Sequence, residues 1–167
     1  MLPVANNTRA TFGRAATVVL AISLSIGSMS VSKAQEFLPL NSIDDEADKP
    51  YPFVRCAGLY YAVIAWSGKT RLGPETYQGY RISVDLLGNA ALLIRRAEGS
   101  DVSTEDLGKS TLNEVVELGK IYVARMESNL SSTGQPMSDD PLFDSDFETC
   151  QLYARAAQEL ASKVASP

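Results

Sequence analysis

A carboxylate set among apolar neighbours is a candidate general acid, and Asp85 occupies such a place in the run RISVDLL. Arg81 lies one i,i+4 step before it, so a helical ion pair would account for the same residue without catalysis. A glycosidase needs a second carboxylate at a defined separation, and nothing in the sequence nominates one. Tyr77 and Tyr80 precede Asp85 by two turns and by just over one turn, and Trp66 is the sole tryptophan. Tyr and Trp are favoured where one side is apolar and the other wet, which covers both ligand clefts and interfaces. Tyr77, Tyr80, Asp85 and Trp66 are therefore the candidate ligand or interface residues. A tyrosine-rich core seam between two helices is the competing account of the aromatics.

The remaining chemistry is defined mostly by what is missing. The chain has no histidine, which excludes Ser-His-Asp and Cys-His nucleophile systems, c-type haem attachment and the usual His-bearing zinc sites. A haem or di-iron bundle is disfavoured for the same reason. Asp139, Asp140, Asp144, Asp146 and Glu148 crowd one segment and suggest calcium, but an EF-hand loop begun at Asp144 puts Thr149 where glycine is needed and Arg155 where glutamate is needed. The run from Asp44 to Asp48 fails similarly, with Lys49 sixth and Arg55 twelfth. An acidic helix N-terminus facing the macrodipole is the plain reading of the first cluster. No metal ligand set, cofactor motif or catalytic residue is assigned.

Cys56 and Cys150 are the only cysteines. Both fall on apolar helical faces, and neither belongs to a CxxC motif, so they read as one structural disulfide. It would close a loop of about 95 residues and contribute about 4–5 kcal/mol in the chain-entropy model.

The elements that must position these residues follow from punctuation and periodicity. Residues 1–34 carry three bases (Arg9, Arg14 and Lys33), no acid, the apolar run AATVVLAISLSIGSMSV and small residues at Ser32 and Ala34. That is the form of a secretory signal peptide cleaved after Ala34. Residues 35–51, with Pro39, Pro50 and the acids Asp44, Asp45, Glu46 and Asp48, read as an extended, solvated, flexible lead-in. Four helices follow over residues 52–164. The first begins at Pro52 and ends at Ser67 with Gly68 as its cap. The second runs from Pro74 to Gly99, and the third from a variant capping box at Ser103 and Asp106 to Thr133 before Gly134. The fourth starts at Asp140-Pro141 and continues to Val164.

Apolar residues keep helical spacing throughout. The first helix is apolar nearly all round, with Arg55 its only charge, and belongs in the middle. The second presents Tyr77, Tyr80, Val84, Leu87, Ala91 and Ile94. The third has a main stripe of Leu112, Val116, Gly119, Val123, Met126 and Leu130, widened by Val115, Leu118 and Tyr122. The fourth has Phe143, Phe147, Cys150, Ala154, Ala157, Ala161 and Val164. Interior glycines at 58, 79, 88 and 119 suggest close helix approach, with room for a ligand as the alternative. The expected fold is all-α, a single-domain antiparallel four-helix bundle with an extended N-terminal lead-in.

The 167 residues carry a net charge of −5. Without the leader the chain keeps 12 of its 15 bases and all 20 acids, a net charge of −8. That balance argues against nucleic acid. The expected location is periplasmic or secreted, with membrane contact only through the signal segment before cleavage. In a eukaryotic secretory source, Asn129-Leu130-Ser131 would be a glycosylation sequon. Two functional readings follow. One is a non-enzymatic envelope module that binds another protein or an envelope component. The other is a small-ligand carrier or carboxylate-dependent enzyme with an inter-helix cleft near Asp85.

Overall fold

In the computed structural model, residues 37–43 and 48–165 are described; the signal-peptide expectation and the acids Asp44, Asp45 and Glu46 lie outside them. Helix α1 spans Tyr51–Leu72, α2 Pro74–Ala97, α3 Thr104–Thr133 and α4 Pro141–Ala165, with a short 3-10 turn at Leu40–Ser42 ahead of them. The described residues contain no strand.

The ends follow the expected punctuation. Ser103 Oγ accepts the Asp106 N–H at 3.1 Å and donates to the Asp106 carboxylate at 2.6 Å, which satisfies an orphan donor of α3. Asp140 Oδ1 accepts the Leu142 N–H at 2.9 Å and does the same for α4. Gly68, at φ 63°, breaks α1 where a stop was expected, because a positive φ suits a residue without Cβ. The chain then adds one more turn before Gly73.

Helix α1 packs against each of the other three helices. From Val54 to Leu59 every residue is buried, as an all-round apolar helix requires. It meets α3 at two glycines. A Cβ on Gly58 would lie 2.8 Å from Leu118 Cβ and 3.2 Å from backbone atoms of Val115 and Gly119, and one on Gly119 would lie 2.5 Å from the Tyr61 ring. Gly79 and Gly88 have nothing within 4 Å of such a position, so close packing explains two of the four interior glycines.

This contact also sets the rotation of α3 and corrects its expected stripe. The buried face is Leu107, Thr111, Val115, Gly119, Tyr122 and Met126, while Leu112 and Leu130 are 59% and 45% exposed. With Gly119 pressed onto α1, the secondary stripe turns inward, and the two ends of the main one, Leu112 and Leu130, face water. On α4 the stripe is buried or half-buried from Phe143 to Ala157, and Ala161 and Val164 are exposed. Cys56 and Cys150 are bonded, with sulfurs 2.01 Å apart, and tie α1 to α4.

The described part of the lead-in is only partly solvated: Leu38, Asn41, Ser42, Asp48 and Lys49 are exposed, but other residues are anchored. Leu40 is 3% exposed and Phe37 packs against the core. The reason is a buried charge beneath it.

Candidate functional site

Two places in the fold concentrate polar groups, one sealed and one open. The sealed place is centred on Arg55, the lone charge of α1, which is wholly buried together with Asp146 of α4 and Tyr122 of α3. Arg55 Nη2 donates to Asp146 Oδ2 at 2.6 Å, and its Nε donates to the same oxygen at 3.2 Å and to Tyr122 Oη at 3.0 Å. The Tyr122 hydroxyl donates to Asp146 Oδ2. The lead-in closes the set through its backbone. Leu38 C=O accepts from Arg55 Nη2 at 2.5 Å, and Leu40 N–H donates to Asp146 Oδ1 at 2.6 Å. The Phe37 ring lies 4.0 Å from the guanidinium carbon, a cation–π contact. Arg55 Nη1 makes no hydrogen bond.

Burial opposes the charge on Arg55, but Tyr122 and Asp146 outweigh it and raise its pKa. Burial first, then the Asp146 carboxylate, push the Tyr122 phenol far above its ordinary range, so it acts as a neutral donor. The set is out of reach of any substrate. Its chemistry is structural, joining α1, α3, α4 and the lead-in.

Asp146 departs from the sequence reading of an acidic helix N-terminus facing the macrodipole, because its carboxylate is buried against Arg55. Asp140 keeps its capping role and in addition pairs bidentately with Arg125 at 2.5 and 2.8 Å and accepts from Asn129 Nδ2 at 2.6 Å. Burial disfavours the charged form of Asp140, yet those hydrogen bonds and the one from the Leu142 N–H hold it down at about 2. The same Asn129 nitrogen donates to Pro136 C=O at 3.2 Å, so the sequon amide is engaged within the fold. Among the described residues no three His, Cys, Asp or Glu side chains cluster as a metal site would require, and no helix is long and apolar enough to cross a membrane.

The open place runs along α2. A hollow of about 330 Å³ lies between α2 and α3, bordered by Asp85, Gly88 and Leu92 on one side and Gly108, Thr111 and Leu112 on the other. A second, of about 220 Å³, lies between α1 and α2 and is bordered by Tyr61, Ile64, Tyr77 and Arg81. Val84 and Asp85 line both. On α2 the positions 77, 81, 84–85, 88 and 92 recur every three or four residues, one stripe of a helix. We call the two hollows, which share Val84 and Asp85, a trough; their lining covers about 15 residues of α2, or about 22 Å at the helical rise. Leu87 and Ala91 on the adjacent face fill the core.

Of the candidate residues, Tyr77 and Asp85 meet in this trough, joined by Tyr61, which no sequence pattern singled out. Tyr61 lies across Gly119, so the glycine that brings α3 close also seats a wall of the trough. Tyr80 turns inward, its ring 5.3 Å from that of Tyr60, as the core-seam account expects. Trp66 packs against the core and is not among the residues lining either hollow. Asp85 and Arg81 are both exposed, and the expected ion pair between them is not formed. At the far end Arg95 clamps α2 to α3 by donating to Glu114 at 2.6 and 3.0 Å and to Thr111 Oγ1 at 2.8 Å.

Compared with known proteins, the chain matches no family model, no curated protein and no solved structure.

Proposed function

We propose that this protein is an exported, non-enzymatic helical module of the periplasm or cell envelope that binds another protein or an envelope component through the trough beside α2. The observation carrying this reading is the pair Gly88 and Gly108. Both line the trough, and neither has any atom within 4 Å of where a Cβ would sit. Helix packing therefore does not call for these glycines, and each costs about 1 kcal/mol of helix propensity relative to alanine. Open space between two helices is the return on that cost. Leu112, left 59% exposed on its edge, supplies apolar surface for a partner. Export is supported by the leader-like first 34 residues and by a disulfide, which persists in oxidising compartments.

The alternative, a small-ligand carrier or carboxylate enzyme, draws on Asp85 lying with Tyr61 and Tyr77. It is the weaker reading. Asp85 is exposed, no second carboxylate lines the trough, and a small-ligand site normally buries most of its ligand.

Site-specific photo-crosslinkers at positions 88 and 112 in exporting cells test the proposal, with position 152 on α4 as control. Leu152 is as exposed as Leu112, at 58%. Discrete adducts from 88 and 112 but not from 152 are expected. Adducts absent from both trough positions, or identical from all three, refute the proposal.

A further inference from the structure

From the charges lining the trough, and resting on the reading of it as a binding face, we infer that its occupant is an amphipathic helix of a basic partner protein. The helix places a cation against Asp85 and a carboxylate against Arg81. Arg81 and Asp85 are one helical turn apart on the stripe that faces the trough. Arg81 precedes Asp85, the less favourable order for an i,i+4 ion pair, and among the described residues neither side chain has a partner. Elsewhere the acid-first pairs Glu105–Lys109 and Glu117–Lys120 close to 2.6 Å, the order that favours mutual pairing. The two free charges at mid-trough therefore form a reciprocal template. A helix crossing them with opposite charges one turn apart satisfies both.

Shape and length agree. The trough extends about 22 Å, four turns of an α-helix, and its walls at Val84, Leu92, Val115 and Ile64 are apolar. A helix laid with its apolar face in such a groove is a recurrent mode of recognition. Net charge selects the partner's sign. The chain is acidic with or without its leader, −5 or −8, so a second copy meets long-range repulsion and a basic chain is steered in.

Two labelled synthetic 18-residue peptides make the test. Each has leucines on one helical face; the other face carries lysines with a single glutamate one turn from the central lysine in the basic peptide, and glutamates alone in the acidic one. Fluorescence anisotropy at about 50 mM salt, with the disulfide intact, should show saturable 1:1 binding of the basic peptide and none of the acidic one. Asp85→Lys should weaken binding about 10-fold or more. Gly88→Trp, which fills the trough without changing charge, should abolish it, and Arg81→Glu, although it makes the chain more acidic, should weaken it by setting a carboxylate against the peptide's glutamate. Thermal melts confirm that each variant folds, as expected at positions that are exposed or have open space.

Equal binding of the basic peptide to wild type, Asp85→Lys and Gly88→Trp would mean diffuse attraction and overturn the inference. So would equal binding of the acidic peptide, no binding of either, or a concentration-dependent dimer lost in Gly88→Trp. Crosslinks from 88 and 112 to an envelope polymer or to an acidic segment would overturn the partner's chemistry and leave the binding face standing. An absence of crosslinks would remove both.

Discussion

Replacing Asp146 by asparagine isolates the charge at the centre of this fold. Asparagine keeps the size of the side chain and a carbonyl oxygen for the Leu40 N–H, which now donates to Oδ1 at 2.6 Å. What it removes is the counter-charge of Arg55, whose side chain and that of Asp146 are both 0% exposed. Breaking a buried ion pair by neutralising one member costs about 3–5 kcal/mol, because the other charge is left uncompensated. Total stabilities are typically about 5–15 kcal/mol. With a urea slope of about 2 kcal/mol per molar, the unfolding midpoint should fall by about 2 M. Far-UV circular dichroism in urea, with the disulfide oxidised, measures it. The double variant Arg55→Met/Asp146→Leu removes both charges and should recover part of the loss, since a well-packed apolar pair often replaces a buried ion pair at little cost. A remainder of about 1–3 kcal/mol is expected for each buried polar group left without a partner, the Leu40 N–H and the Tyr122 hydroxyl. A midpoint shift below about 0.3 M for Asp146→Asn, or a double variant as unstable as the sum of its two singles, would refute the reasoning.

Reducing the Cys56–Cys150 bond, whose partners are 94 residues apart, should lower the melting midpoint by about 15 °C in calorimetry, from about 4–5 kcal/mol of lost chain-entropy restraint. An unchanged midpoint would show that the buried contacts alone hold α1 to α4. Gly58→Ala should destabilise by about 1–3 kcal/mol, because its Cβ would meet Leu118 and two backbone atoms at 2.8–3.2 Å. Gly79→Ala, with open space around it, should instead stabilise by about 0.5–1 kcal/mol; chemical denaturation of both variants checks the contrast in sign. Asp140 contributes through a lowered pKa, from 3.8 to about 2. Its stabilisation is therefore complete above about pH 4 and is lost as pH falls through about 2. Allowing for the half-exposed Arg125, the amount is about 1–2 kcal/mol. Stability measured between pH 5 and pH 2 should fall less steeply in Asp140→Asn than in wild type, and parallel curves would contradict the assignment.

Much of the buried site was within reach of the sequence. A lone arginine in an otherwise apolar helix needs a buried anion. Arg55 precedes Cys56, and Asp146 lies one helical turn before Cys150, so pairing the cysteines already brings the two charges to the same level of α1 and α4. Tyr122 was on an apolar stripe of α3. The trough was less legible. Asp85 and Tyr77 were candidates, but Tyr61 enters only because Gly119 makes room for its ring, and Tyr80 leaves because its ring meets Tyr60.

Sequence alone determined the helices, because caps, prolines and 3.6-residue spacing act within a few residues of one another. Ser103, Asp140 and Gly134 mark ends on that account, and Gly68 marks the break inside α1. The cysteine pairing was also decided there, since two cysteines allow one intramolecular bond. Tertiary structure decided rotation. Whether Leu112 or Val115 of α3 faces the core depends on which residue α1 presses against, and a helix with two apolar stripes is compatible with either. It also decided the fate of the lead-in, since two backbone groups near Leu38 and Leu40 are drawn onto a charge that becomes buried only when α1, α3 and α4 meet. Periodicity ranks the faces of one helix, whereas burial depends on the face its neighbour presents.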